Sequence, residues 1–204
     1  MELTPSRTAV IAVHMQPDVV SADGAFGGFF AAQVVERDVI GQLATLLDAA
    51  RAAGATAVYT RVAWQPGYPD LMANSPLLGM VAQTQCLVEG SEKAQIVPQL
   101  TPQDGDVVVT HQRVGGFSAS QLDTILRARG IDTVLFAGVA TNASVEGTAR
   151  QASDLGYRTV IVADACSAAD PGAHDASIAS LGLLAEITTV DEATDALSKG
   201  AVNA

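Results

Sequence analysis

The sequence predicts a three-layer α/β/α protein built on a mostly parallel sheet of about six strands, and three observations carry that prediction. Short, unbroken apolar runs recur along the chain, segments of helical period separate them, and the runs stop at polar or glycine-rich turns. Strands apolar on both faces belong in a sheet that helices cover on both sides. Their alternation with helices makes the sheet parallel, with right-handed crossovers.

Taken in order, Thr8–Val13 is the first apolar run, broken by His14-Met15-Gln16-Pro17-Asp18. Phe26, Phe29 and Phe30 follow in or near a glycine-rich loop. Val35, Val39, Leu43, Leu46, Leu47 and Ala50 then share one face of a long helix that Gly54 stops. Thr56–Val62 is the second strand. Residues 63–103 form a connection with five prolines, Pro66, Pro69, Pro76, Pro98 and Pro102, long enough to be functional or to hide short helices. The third strand, Asp106–Thr110, ends at His111-Gln112-Arg113. Ser118-Ala119-Ser120-Gln121 reads as a capping box for a helix carrying Leu122, Ile125 and Leu126, stopped by Gly130.

The fourth strand, Thr133–Ala137, leads into Gly138-Val139-Ala140-Thr141-Asn142-Ala143-Ser144, after which Val145, Ala149, Ala152 and Leu155 recur at helical spacing. Gly138 permits a sharp turn and Asn142 is placed to cap the helix. The fifth strand is Arg158–Ala163, followed by a helix from about Ala173 to Leu184 and a short strand, Glu186–Thr188. Thr189 and Glu192 form a capping box for the last helix.

Composition limits the partners. The 204 residues fit one domain, 1–204. A formal charge of -11 and a pI near 4.4 oppose binding to nucleic acid or anionic lipid, and no Lys/Arg cluster offsets them. With 49% hydrophobic residues the chain is apolar, yet no run approaches the roughly 18 residues of a membrane span. We therefore expect no membrane contact, and assign the apolar excess to buried subunit interfaces in a homo-oligomer, a dimer or tetramer. The start carries no secretory pattern and two cysteines make no disulfide framework, so the expected location is the cytoplasm.

In a parallel sheet, ligands bind beyond the carboxyl ends of the strands. His14, Arg61, His111 and the turn bearing Ser144 all fall at such ends. A serine hydroxyl needs a base, histidine supplies one near neutral pH, and a helix start offers backbone amides for an oxyanion. The expected site is therefore Ser144 as nucleophile, His14 and His111 in proton transfer, and the backbone of Val139, Ala140, Asn142 and Ala143 as oxyanion site. Phe26, Phe30, Trp64, Tyr68 and Phe117 follow strand ends and would wall an apolar pocket for a small-molecule substrate, with Arg61 and Arg113 available to a substrate carboxylate. His174, after Asp170-Pro171-Gly172, is read as a cap or surface residue. No histidine spacing supports a metal, and no glycine fingerprint supports a nucleotide cofactor, so none is expected.

Several of these segments resemble the isochorismatase-like hydrolases, a superfamily that includes cysteine amidases. Val10-Ile11-Ala12-Val13-His14-Met15-Gln16-Pro17-Asp18 is similar to its first strand, and Thr110 to Phe117 to its third-strand motif. Gly138 to Arg150, with Leu155-Gly156-Tyr157 and Asp164-Ala165-Cys166, resembles its most specific signature. The resemblance implies a Rossmann-like α/β/α fold and a cis peptide at Val139-Ala140. It also implies a site at the positions of the family's aspartate, lysine and cysteine, which here hold His14, His111 and Ser144. A thioester intermediate cannot form at Ser144. The Asp-x-His of metal-binding members is replaced by Arg61-Val62-Ala63-Trp64. The expected activity is hydrolysis of an amide-like or ester-like bond; the alternatives are vinyl-ether hydrolysis by acid-base catalysis without a covalent intermediate, and a catalytically silent ligand-binding or scaffold homologue.

Overall fold

The computed structural model describes residues 1–202. Six strands form one sheet: β1 (Thr8–Val13), β2 (Thr56–Val62), β3 (Val107–His111), β4 (Thr133–Val139), β5 (Arg158–Ser167) and β6 (Glu186–Thr188). Their order is β3-β2-β1-β4-β5-β6 and every pairing is parallel. The three strands read as Thr56–Val62, Thr8–Val13 and Glu186–Thr188 have the expected bounds. All of β1 and β4 is buried, as expected of central strands covered by helices on both faces. The chain reverses its direction of growth between β1 and β4, which makes the crevice at their carboxyl ends the topological switch point.

Among the described residues, eight helices flank the sheet: α1 (Pro17–Val20), α2 (Gly27–Glu36), α3 (Val39–Ala53), α4 (Pro76–Thr84), α5 (Leu122–Ala128), α6 (Glu146–Asp154), α7 (Pro171–Leu181) and α8 (Val190–Val202). The long helix expected from Val35 onward is two helices. Asp38 adopts a left-handed conformation (φ 48°) that ends the run, and Phe29 and Phe30 belong to α2 rather than to a loop. Val35 is consequently 78% exposed. An apolar periodicity that runs across Arg37-Asp38 conceals the break, because backbone conformation at one residue leaves no mark on spacing.

The connection 63–103 is ordered by α4, two short 3-10 turns and a bridge between Trp64 and Val88. Ser75 caps α4 by accepting from the Leu78 N–H, and Pro76 opens it. The capping box expected at Ser118 is not formed. Ser118 accepts from Gln151, while Ser120 accepts from the Leu122 N–H at 3.2 Å. The box at the last helix is in place on one side, with Glu192 N–H donating to Thr189 Oγ1 at 3.3 Å.

Candidate active site

His14 directly follows β1 and takes a left-handed conformation (φ 51°), a strained choice for a non-glycine residue that turns its side chain out of the strand's alternation. Its N–H still donates to Thr60 O at 2.9 Å. Gln16 fixes the same turn: its amide donates to Val62 O and Ala94 O and accepts from the Val62 N–H, each at 2.8 Å. His111 closes β3. Strand β2 lies between β1 and β3, so on ladder spacing the two backbones are about 10 Å apart. The side chains span that gap, and His14 Nε2 and His111 Nε2 meet at 3.0 Å.

One ring must therefore donate its Nε2 proton to the other's Nε2 lone pair, which is possible only if the accepting ring is neutral. Burial, with the neighbouring His111 as the second cause, holds His14 well below the ordinary histidine range. Burial pushes His111 down to about 4. Both rings are thus neutral at pH 7. His14 faces an apolar cavity of about 60 Å³; His111 is fully buried behind it, and its Nδ1 has no hydrogen-bond partner.

Ser144 faces the same cavity as His14, as do the expected backbone contributors Val139, Ala140 and Ala143. The peptide Val139-Ala140 is cis. Residues Thr141–Val145 form a wide π turn before α6, in which the N–H groups of Ala143 and Val145 both donate to Ala140 O at 3.1 Å. The Ala143 amide is thereby engaged within the turn. Asn142 is exposed, forms no cap and lies outside the cavity lining. The turn begins at Thr141, two residues before the start of a helix capped by Asn142, so Asn142 lies within the turn instead of at its cap. Ser144 Oγ makes no hydrogen bond to His14 or His111 among the described residues; Ser144 and His14 share the cavity lining, and His111 lies behind His14.

Phe26, Phe30, Trp64 and Arg113 line the cavity as expected. Tyr68 and Phe117 do not. The Tyr68 hydroxyl donates to Cys86 O at 2.8 Å, and Phe117 packs on Tyr157 with ring centroids 5.9 Å apart. Arg61 is held by Glu89 through two contacts of 2.7 and 2.8 Å, which removes it from substrate binding. The remaining wall comes from Leu77, Leu78 and Val81 of α4, together with Leu87. Sequence reasoning missed this cover, although Ser75-Pro76 is a legible helix start. Among the described residues, no group of three or more His, Cys, Asp or Glu side chains is placed to hold a metal ion.

The isochorismatase domain model matches residues 8–192. The chain belongs to the isochorismatase family. It is 36% identical over 185 residues to the ureidoacrylate amidohydrolase of Azorhizobium caulinodans, covering 84% of this chain and 81% of that one. A second ureidoacrylate amidohydrolase, from Rhizobium rhizogenes, is 37% identical over 80% of this chain and 71% of its own length. Among solved structures, a cysteine hydrolase from Pseudomonas syringae superposes with a TM-score of 0.87 at 27% identity, covering 98% of this chain and 96% of that one.

A further group supports the Thr141–Val145 turn of this isochorismatase-family chain. His174, read from sequence as a cap or surface residue, is 4% exposed. Its Nδ1 lies 2.9 Å from Thr141 Oγ1, and its Nε2 accepts from the Arg37 guanidinium at 3.0 Å. Because Arg37 has only protons to give, Nε2 is the lone pair and Nδ1–H donates to Thr141. Burial, followed by the Arg37 charge, lowers the His174 pKa and keeps it neutral. Arg37 also donates to Cys166 O at 2.9 Å and Ala163 O at 3.2 Å. Asp170, not His174, caps α7, accepting from the Ala173 N–H at 2.9 Å.

Proposed function

We propose that this chain hydrolyses an amide-like bond in a small organic molecule, with Ser144 as nucleophile, His14 as the proton acceptor facing the substrate, and His111 as its partner. The observation that carries this reading is that His14 and Ser144 share one apolar cavity bounded by the Val139-Ala140 turn. The ureidoacrylate amidohydrolases among its relatives add weight to an amide as the bond cleaved.

When His14 Nε2–H donates to His111, the His14 Nδ1 lone pair is free to accept a proton. Ser144 Oγ attacks the carbonyl carbon, its proton passes to His14 Nδ1, and the carbonyl oxygen becomes an oxyanion near the Ala140 and Ser144 amides. The positive charge on His14 is shared when its Nε2 proton moves to His111. Return of that proton, and donation from His14 Nδ1 to the departing nitrogen, break the C–N bond and leave an ester on Ser144. Water then attacks this ester with the same proton transfers and releases the acid.

Turnover of a panel of amides, esters and enol ethers tests the reading. Ser144→Ala is expected to lower kcat by a factor on the order of 10³ or more while leaving the fold intact by circular dichroism. The lack of a hydrogen bond between Ser144 and either histidine favours one second reading, acid-base catalysis by His14 without a covalent intermediate, as in vinyl-ether hydrolysis. Retained turnover in Ser144→Ala with loss in His14→Ala would establish it. No turnover across the panel, joined to thermal stabilisation by one of the compounds, would leave a silent binding protein.

A further inference from the structure

We infer that Leu78 and Val81 of α4 are the specificity-determining residues of this cavity, and that they limit its occupant to a short aliphatic acyl group of roughly four or five non-hydrogen atoms. Taking the cavity as the acyl site, this rests on the hydrolase reading. Volume sets the first limit. A space of about 60 Å³ holds roughly four or five groups the size of a water molecule, since each needs about 10–15 Å³.

The chemistry of the wall sets the second. Apart from His14, Arg113 and Ser144, every residue that lines the cavity is apolar or aromatic, so a polar chain enclosed there would lose water without gaining partners. The Arg113 guanidinium donates to Met72 O at 3.4 Å and Asn74 Oδ1 at 3.1 Å, which spends it on the segment leading into α4. An aliphatic chain suits what remains.

His14 and the turn of Ser144 stand at strand ends and are fixed by the sheet, so α4 is the wall whose side chains decide length. Leu78 and Val81 are three residues apart, on one face of the helix, and are 5% and 2% exposed; Leu77, at 37%, lies at the rim. Several bonds hold this wall in place. Ser75 caps the helix, the Cys86 N–H donates to Val81 O at 3.3 Å, and the Tyr68 hydroxyl donates to Cys86 O at 2.8 Å. At the base of the segment the Trp64 N–H donates to Leu87 O at 2.9 Å and the Glu89 N–H to Trp64 O at 2.8 Å. A longer acyl chain therefore meets packed side chains that cannot withdraw without breaking these ties, and overfilling a packed wall is penalised.

The probes are the linear primary amides acetamide, butanamide and hexanamide. Ammonia release reports turnover, and the fluorescence of Trp64, the only tryptophan and a lining residue, reports binding independently of it. In the parent chain kcat/KM is expected to rise from acetamide to butanamide and to fall by a factor of roughly 10 or more at hexanamide. Leu78→Ala, which frees the space of about three carbons, should move the optimum to hexanamide. Val81→Leu fills space instead and should move it to acetamide; because it leaves the wall packed, it tests the limit even if Leu78→Ala fails to fold. Hexanamide accepted as well as butanamide by the parent chain, an optimum that stays at butanamide in either folded variant, or no binding of any of the three amides would overturn the inference. A cut-off seen in binding and moved by the same substitutions, with no ammonia released from any amide, would keep the size limit and lose the hydrolase reading.

Discussion

In the proposed mechanism His14 is the proton acceptor, and its environment makes a definite statement about pH. A base works only when unprotonated, so activity rises as pH passes upward through its pKa. Burial and His111 hold that pKa well below 6.5, and the acid limb of kcat/KM should therefore lie well below pH 6.5. A pH profile with its acid limb at 6.5 or above would contradict the assignment. The same shifts bear on stability. His111 takes up a proton below about 6.5 when unfolded but only near 4 when folded, so the unfolded state binds more protons in between. Stability is full above pH 6.5 and falls as pH drops from there towards 4, by about 1.4 kcal/mol per pH unit for this group. Urea titrations between pH 7 and pH 4.5 should show a steeper loss in the parent chain than in His111→Gln.

At the scale of elements, the π turn after β4 is held from behind by groups far away in sequence. Arg37, at the break between α2 and α3, ties the end of β5 to His174 of α7, and His174 ties α7 to Thr141 in the turn. Arg37→Met leaves two carbonyls and an imidazole nitrogen without a donor, and it is expected to cost about 2 kcal/mol or more in urea unfolding. Thr141→Val breaks only the last link. It is expected to lower kcat several-fold with little change in stability, a split that a purely structural role would not give. Gly138, at φ 119°, sets the approach of β4 to β1: a Cβ there would lie 2.3 Å from Val13 O. Gly138→Ala should destabilise the chain by about 2 kcal/mol or more, measured the same way. None of this network was legible beforehand, because a buried His174 and a surface His174 have the same neighbours in sequence.

Across the whole molecule, the strand order places the site. Reversal between β1 and β4 opens a crevice at their carboxyl ends, and the residues after those two strands, His14 and the turn of Ser144, are the ones that meet there. Large apolar side chains remain on the surface, among them Val35 at 78% and Leu183 at 84% exposed. On that basis we expect an oligomer, and light scattering coupled to size exclusion should give a mass of two or four times 20.9 kDa. A monomer mass would leave those side chains without the cover this expectation assigns them.

The sequence by itself determined the sheet, the strands that compose it and the end at which chemistry gathers, since unbroken apolar runs and the residues that stop them are local patterns. The resemblance legible in it also set His14, His111 and Ser144 as the expected site residues. Tertiary structure alone decided that the two imidazoles touch across an intervening strand, that Asn142, Tyr68 and Phe117 point away from the cavity while α4 covers it, and that Arg61 is paired where Arg113 is not. These are contacts between segments tens of residues apart, fixed by packing and charge pairing in three dimensions, and no spacing along the chain encodes which of two similar side chains finds a partner first.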